Sequence, residues 1–277
     1  MTVAYGIAET IGFRPHMEDA HAIWDEEQFG FFSAEVYDGH GGSLAAVLAA
    51  EVLTPYFLHH RGNGQRGKAD EKVLSAEALR EAYLDTDRYI IGQRTGSGTA
   101  AATLYLHNDR FLAANAGDVR IVVGQGKGAL ELTKDHKPDL PEEKARIEAL
   151  GGKVISYDVA RVEGTLSMSR ALGDAPLKPF VTAEPRIAEG VLGKENDVAV
   201  VACDGIWDVM TSEEAVALAR SGTGPEDAAR LLQTRALERG SMDNITVVVL
   251  DLRGYTALCG RSRLSIVRVL DRALVAA

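Results

Sequence analysis

The stretch GTAAATLYLHNDRFLAANAGDVRIVVGQ, residues 98–125, holds three apolar runs rich in aliphatic residues, parted by the short turns ND (108–109) and GD (117–118). Connections this short leave no room for a crossover helix, so the runs are read as antiparallel neighbours. Similar runs recur as VAYGIAE (3–9), FGFFSAEVYD (29–38), DVAVVACD (197–204) and NITVVVLDL (244–252). Helical period is carried by Gly42–His59, by Ser75–Gln93 with Ser75 as N-cap, and by Glu213–Arg239, which breaks into two helices at SGTGP (221–225). PEEKARIEALGG (141–152) adds a short helix, and HHRGNGQRGKADEK (59–72) reads as a polar surface loop. Strands in runs with helices between them predict an α+β fold in which helices cover antiparallel sheets.

The bulk numbers narrow the function. A chain of 277 residues with 46% hydrophobic content and no break in composition fits one large domain. A formal charge of -10 disfavours nucleic acid as a partner. Two cysteines, Cys203 and Cys259, build no disulfide framework and suggest a reducing compartment, the cytoplasm or the nucleus. No uninterrupted apolar run is long enough to span a membrane, and the N-terminus lacks the layout of a signal peptide.

One set of acids sits where buried strands end. Asp38 closes FFSAEVYD, Asp118 closes FLAANAGD and Asp204 closes VAVVACD. Asp243 immediately precedes NITVVVL, and Glu18 with Asp19 precedes AHAIW. If these ends converge, each pair of carboxylates about 5 Å apart repels by roughly 3 kcal/mol at an effective dielectric of about 20. With few Lys or Arg nearby in sequence, divalent cations are the natural neutralisers. All-oxygen ligands select hard ions, Mg²⁺ or Mn²⁺.

Nine motifs then occur in order: RPHMEDAH (14–21), YDGHGG (37–42), GSGTAAATL (96–104), NAGDVR (115–120), DHKPD (135–139), RVEGTLSMSRALGD (161–174), AEPRI (183–187), CDGIWDVMTSEE (203–214) and MDNITVVVLDL (242–252). Together they resemble the metal-dependent protein serine/threonine phosphatases of the type-2C class, over residues 3–252. The resemblance implies a four-layer α-β-β-α sandwich with two central antiparallel sheets. It implies a catalytic domain over 1–253, monomeric, acting on phosphorylated proteins. It also implies a centre of two Mg²⁺ or Mn²⁺ ions, with a third in some members. Carried over position by position, Asp38 bridges the two ions. The Gly39 carbonyl and Glu18 serve one ion, and Asp204 and Asp243 serve the other. Asp118 and Asp208 match the third-metal acids, Arg14 the phosphate-binding arginine and His40 the general acid. Asp19 and Asn244 match supporting positions. The implied chemistry is in-line attack on phosphorus by a metal-bridging hydroxide, with no covalent intermediate.

Two departures stand out. Val119 replaces a serine usual after the Asp118 position, and Glu35 replaces a small or apolar residue on the strand face opposite Asp38. Other phosphatase chemistries fail on spacing. A Cys-x5-Arg loop would need arginine at 209 or 265, where Val209 and Ser265 stand. An aspartyl-nucleophile motif finds only DTDRY (85–89), and GQGKG (124–128) reads as a hairpin turn. A non-catalytic scaffold of the same fold would be expected to lose Asp38, Asp204 or Asp243, and all three are present. A metal-dependent phosphodiesterase or nuclease is disfavoured by the acidic charge.

The tail beyond 253 differs in character. In RSRLSIVRVLDRALVAA (261–277), Leu264, Val267, Leu270 and Leu274 form a helical stripe flanked by Arg263, Arg268 and Arg272. It is read as a basic amphipathic helix that packs on the acidic body, docks a partner or touches a membrane surface. Its removal is expected to leave basal turnover intact.

Overall fold

The structure, a computed structural model, describes residues 3–26, 30–62, 73–257 and 264–274. The chain opens with strands β1 (Ala4–Thr10), β2 (Ala20–Glu26) and β3 (Phe31–His40), then helices α1 (Leu44–Gly62) and α2 (Ala76–Gly92). Next come β4 (Gly98–His107), β5 (Arg110–Ala116), β6 (Arg120–Gln125), β7 (Gly128–Glu131), α3 (Pro141–Ala149) and the hairpin β8 (Val154–Ser156) with β9 (Ala160–Val162). The remainder is β10 (Leu172–Gly173), β11 (Arg186–Val191), β12 (Val198–Ala202), α4 (Asp204–Trp207), α5 (Ser212–Ser221), α6 (Pro225–Glu238), β13 (Ile245–Asp251), α7 (Arg253–Thr256) and β14 (Ser265–Asp271). Ser75 caps α2 by accepting from the Ala78 N–H, and α6 starts at Pro225, as the sequence suggests. Residues 59–62 extend α1 rather than beginning a loop, and 63–72 lie outside the described residues.

One sheet has the order β1-β13-β12-β6-β7, the other β14-β11-β5-β4-β3-β2, with β10 on β4. All of these pairings are antiparallel. Period-2 alternation sorts the side chains into layers. Phe32, Ala34 and Val36 of β3 meet Ile121 and Val123 of β6, Val201 of β12 and Val248 of β13 in the core between the sheets. The opposite face of β3 and β4, through Tyr37, Ala101 and Tyr105, packs on Ala49 and Leu53 of α1 and Leu79 and Tyr83 of α2. Val200 and Val247 pack on Val216 of α5 and Leu232 of α6. The result is the expected four-layer α-β-β-α sandwich.

Two expectations are corrected. The turn at Gly117–Asp118 is not a hairpin, because β5 is already paired on both sides by β4 and β11. The chain instead crosses to the other sheet, where β6 pairs β12 and β7. Val119 lies in that crossing and is fully buried in the inter-sheet core, which accounts for an apolar residue there. The tail is not an amphipathic helix over its described residues. Ser265–Asp271 is a strand on the outer edge of β11, and 261–263 and 275–277 lie outside the described residues. Its Ile266 and Val269 suit a strand, and pairing there covers the edge of β11, whose backbone groups would otherwise stand unpaired.

The tail strand also carries a charge into the body. Arg170, 1% exposed, donates to Asp271 Oδ1 at 2.7 Å and Oδ2 at 3.1 Å. Its Nε donates to Glu143 at 2.9 Å, and Arg146 and Ser169 complete the shell of Glu143. Asp271→Ala therefore leaves a buried guanidinium half-paired. The expected loss is about 2 kcal/mol in urea-induced unfolding; an unchanged midpoint would mean that β14 is dispensable.

Glu35 is fully buried under α1. Ser33 and Tyr37 donate to it at 2.8 and 2.6 Å, and Thr54 donates as well. Burial outweighs these hydroxyls and raises the carboxyl above its ordinary value. A raised folded-state value means stability that is complete below the unfolded value and lost as pH rises through the folded one. Relative to Glu35→Gln, the wild type should lose stability as pH rises above the ordinary carboxylate range, with a slope of up to about 1.4 kcal/mol per pH unit. Parallel unfolding curves for the two proteins across that range would contradict this.

Candidate active site

Strand register brings the acids together. Ala20 faces Tyr37, Ala101 faces Ala116, Ala202 faces Val247, and Thr10 faces Ile245. These pairings, with Ala202 also facing Arg120, align the C-terminal ends of β1, β3, β5 and β12 with the N-terminal ends of β2, β4, β6 and β13, all at one end of the sandwich. Asp38 follows Phe32, Ala34 and Val36 on the inner face of β3, so its carboxylate closes the inter-sheet core. Gly39 is required by close approach. A Cβ there would lie 2.1 Å from the Glu18 carbonyl oxygen.

A cleft of about 440 Å³ opens at this end, lined by Arg14, Glu18, Asp38, Gly39, His40, Asp204, Asp243 and Asn244, with Arg161 and Met168 on its wall. Asn244 fastens it. Its Oδ1 accepts from the Glu18 N–H at 2.8 Å, and its Nδ2 donates to the carbonyls of Ile11 and His16 at 2.9 and 3.0 Å. Arg14 Nη2 donates to Asp243 Oδ2 at 2.6 Å. His40 Nε2 lies 2.8 Å from Asp174 Oδ2. Asp19 is buried beside the cleft. It, Asp38 and Cys203 each offer a ligand atom within 4.8 Å of one another. Asp118 is 1% exposed and ion-paired with Lys137 at 2.5 Å, while Asp208 is exposed in a neighbouring cleft beside Arg120 and Trp207.

The profile described as "Protein phosphatase 2C" matches residues 3–245. The chain belongs to the protein phosphatase 2C family. "Probable protein phosphatase 2C 59" of Oryza sativa subsp. japonica is 39% identical over 256 residues, covering 89% of this chain and 75% of the relative. Its namesake in Arabidopsis thaliana is 38% identical over 256 residues, covering 89% and 78%. A solved structure described as a C. elegans sex determining protein superposes with a TM-score of 0.83 at 27% identity, over 91% of this chain and 65% of that one. Serine-threonine phosphatase 2C from Toxoplasma gondii superposes with a TM-score of 0.77 at 22% identity, over 90% and 94%, a likeness of fold. The chain is a protein serine/threonine phosphatase of this family.

Three residues of this phosphatase's site escaped the strand-end reading. Lys137 and Asp174 lie within the DHKPD and RVEGTLSMSRALGD motifs but at no strand terminus, and only tertiary contact pairs them with Asp118 and His40. Cys203 read as part of an apolar run, yet its thiol sits against two carboxylates. The acids are also less bare of cations than expected, since Arg14 and Lys137 both reach them.

Those two cations do not suffice. Burial, then the charges of Asp204 and Asp19, raises Asp38 well above the carboxylate range. Burial, then Asp118, Asp208 and Asp243, pushes Asp204 up to about 8. Burial pushes Asp19 up to about 6. Asp19 Oδ2 and Asp118 Oδ1 are buried without a hydrogen-bond partner. Oxygen donors in excess of available protons and cations fit hard dications. The sign for stability follows: in the metal-free protein the contribution of this cluster is fullest below the ordinary carboxylate values and is lost as pH rises toward about 8. In thermal melts, chelated protein should lose Tm between pH 5 and 8, and Mn²⁺ at about 100 times its Kd should restore about 2.7 kcal/mol. Asp204→Asn should stabilise the chelated protein at pH 8 and shrink the Mn²⁺ increment. Melts indifferent to both pH and Mn²⁺ would contradict the reading.

Proposed function

We propose that this phosphatase hydrolyses phosphoserine and phosphothreonine on proteins using two hard dications, Mg²⁺ or Mn²⁺, held by Asp38, the Gly39 carbonyl, Glu18, Asp204 and Asp243. The observation that carries the reading is the convergence of these groups on one cleft with Arg14 and His40. When bound, such ions supply a water acidified toward neutrality as the nucleophile. Asp118 and Asp208, whose charges both bear on Asp204, are the candidates for a weaker third ion.

The chain's own groups do the rest. Arg14, permanently charged and fork-shaped, grips two phosphoryl oxygens, and it is already poised in the cleft by its bond to Asp243. His40 delivers a proton to the departing serine or threonine oxygen. Asp174 contacts its Nε2 and so limits how the ring turns. Asn244 holds the Glu18 N–H and the loop carrying Arg14 against the segment that carries Asp243, and Asp19 offers a further carboxylate oxygen within 4.8 Å of Asp38.

Hydrolysis of a phosphothreonine peptide with Mn²⁺ should be abolished by chelator. Asp38→Asn or Asp204→Asn should lower kcat/KM by about 10³-fold or more. His40→Gln should lower kcat by about 10²-fold with little change in KM. Turnover that survives chelation would refute the metal reading, and phosphopeptide binding without turnover would mark a scaffold.

A further inference from the structure

Single exposed apolar side chains are ordinary, but a group of them beside a binding cleft calls for a partner. Phe13 is 66% exposed, Met242 64% and Ile11 42%. Phe13 immediately precedes Arg14 and Met242 immediately precedes Asp243, the two residues joined by the 2.6 Å ion pair on the cleft wall. The two segments are also fastened by backbone. Asn244 Nδ2 donates to the Ile11 carbonyl at 2.9 Å, and the Arg14 N–H donates to the same oxygen at 3.3 Å. Gly12, at φ +59°, lies so close to Asp243 that a Cβ would sit 2.2 Å from its carbonyl oxygen. The exposed side chains therefore stand on a braced turn, not on a loose loop.

We propose that Ile11, Phe13 and Met242 form an apolar ledge that binds a hydrophobic side chain of the substrate polypeptide near its phosphoresidue, a reading that rests on the phosphopeptide hydrolysis proposed above. Continuity with the cleft selects this occupant. A phosphoresidue held by Arg14 brings its own flanking chain across the neighbouring surface, and three extended residues span at most about 10 Å. The cleft lining holds four acids, two arginines and two histidines, with Pro15, Leu166 and Met168 as its apolar members, so discrimination by a flanking apolar residue calls for surface beyond it. The ledge supplies that discrimination through apolar contact. Its rigidity means that little ordering is required when the substrate docks.

The test compares phosphothreonine peptides carrying leucine or glycine at each of the three positions on either side of the phosphoresidue, with Mn²⁺ and the full chain. At one or more positions the wild type should prefer leucine by roughly 10-fold in kcat/KM, mainly through KM. Phe13→Ser with Met242→Ser should bring that ratio close to one, and Phe13→Leu should retain most of it. Calorimetric Mn²⁺ binding equal to wild type shows that the double variant is folded with an intact centre. A wild type indifferent to leucine, or a double variant that keeps the preference, overturns the ledge. A wild type that hydrolyses neither peptide overturns the function itself and the ledge with it.

Discussion

Repulsion among carboxylates at one end of a sandwich is the constraint on which this structure turns. Asp38, Asp204, Asp243, Asp118 and Asp19 come from five separate segments, and the charges of neighbouring acids bear on Asp38, Asp204 and Asp19. A domain stable by only about 5–15 kcal/mol tolerates such a cluster only when something offsets it. Lys137 and Arg14 offset part. Burial alone would lower the pKa of Lys137, yet Asp118 beside it holds the ammonium charged. The remaining carboxylates either bind protons, as their raised values imply, or bind dications. The same strain that weakens the metal-free protein would be the source of affinity for the hard ions proposed here.

The scaffold is built to impose that convergence. The central strands of each sheet are buried on both faces, one against the other sheet and one against helices, so none of them is free to slip by a residue without turning its apolar set outward. Register fixed in this way gathers these strand ends at one end of the sandwich. A buried ion network outside the cleft extends the same rigidity. Arg170 ties α3 and the tail strand to the segment that also carries Asp174, the partner of His40.

Much of this was legible in the sequence because it follows local rules. Alternation and short turns reveal the strands, and Ser75, Pro225 and the SGTGP break mark helix ends. The acids stood out because each fell at the edge of an apolar run. What stayed hidden depends on non-local pairing. The Gly117–Asp118 turn looks like a hairpin until β11 is seen to occupy the second edge of β5. The tail shows a helical stripe, but β11 also had its other edge to fill, and Asp271 had a buried arginine to meet. Glu35 was visible as a departure, while its hydroxyl cage depends on Thr54 from α1. Lys137, Asp174 and Cys203 gave no local signal, since their importance lies only in what they touch.

Anomalous scattering from crystals soaked in Mn²⁺ tests the central claim most directly, because it counts ions and names their ligands together. The account predicts two strong peaks about 3.5–4 Å apart, both touching Asp38, one shared with Glu18 and the other with Asp204 and Asp243. A cleft that stays free of metal, or a lone peak held by Asp19, Asp38 and Cys203 alone, would contradict it.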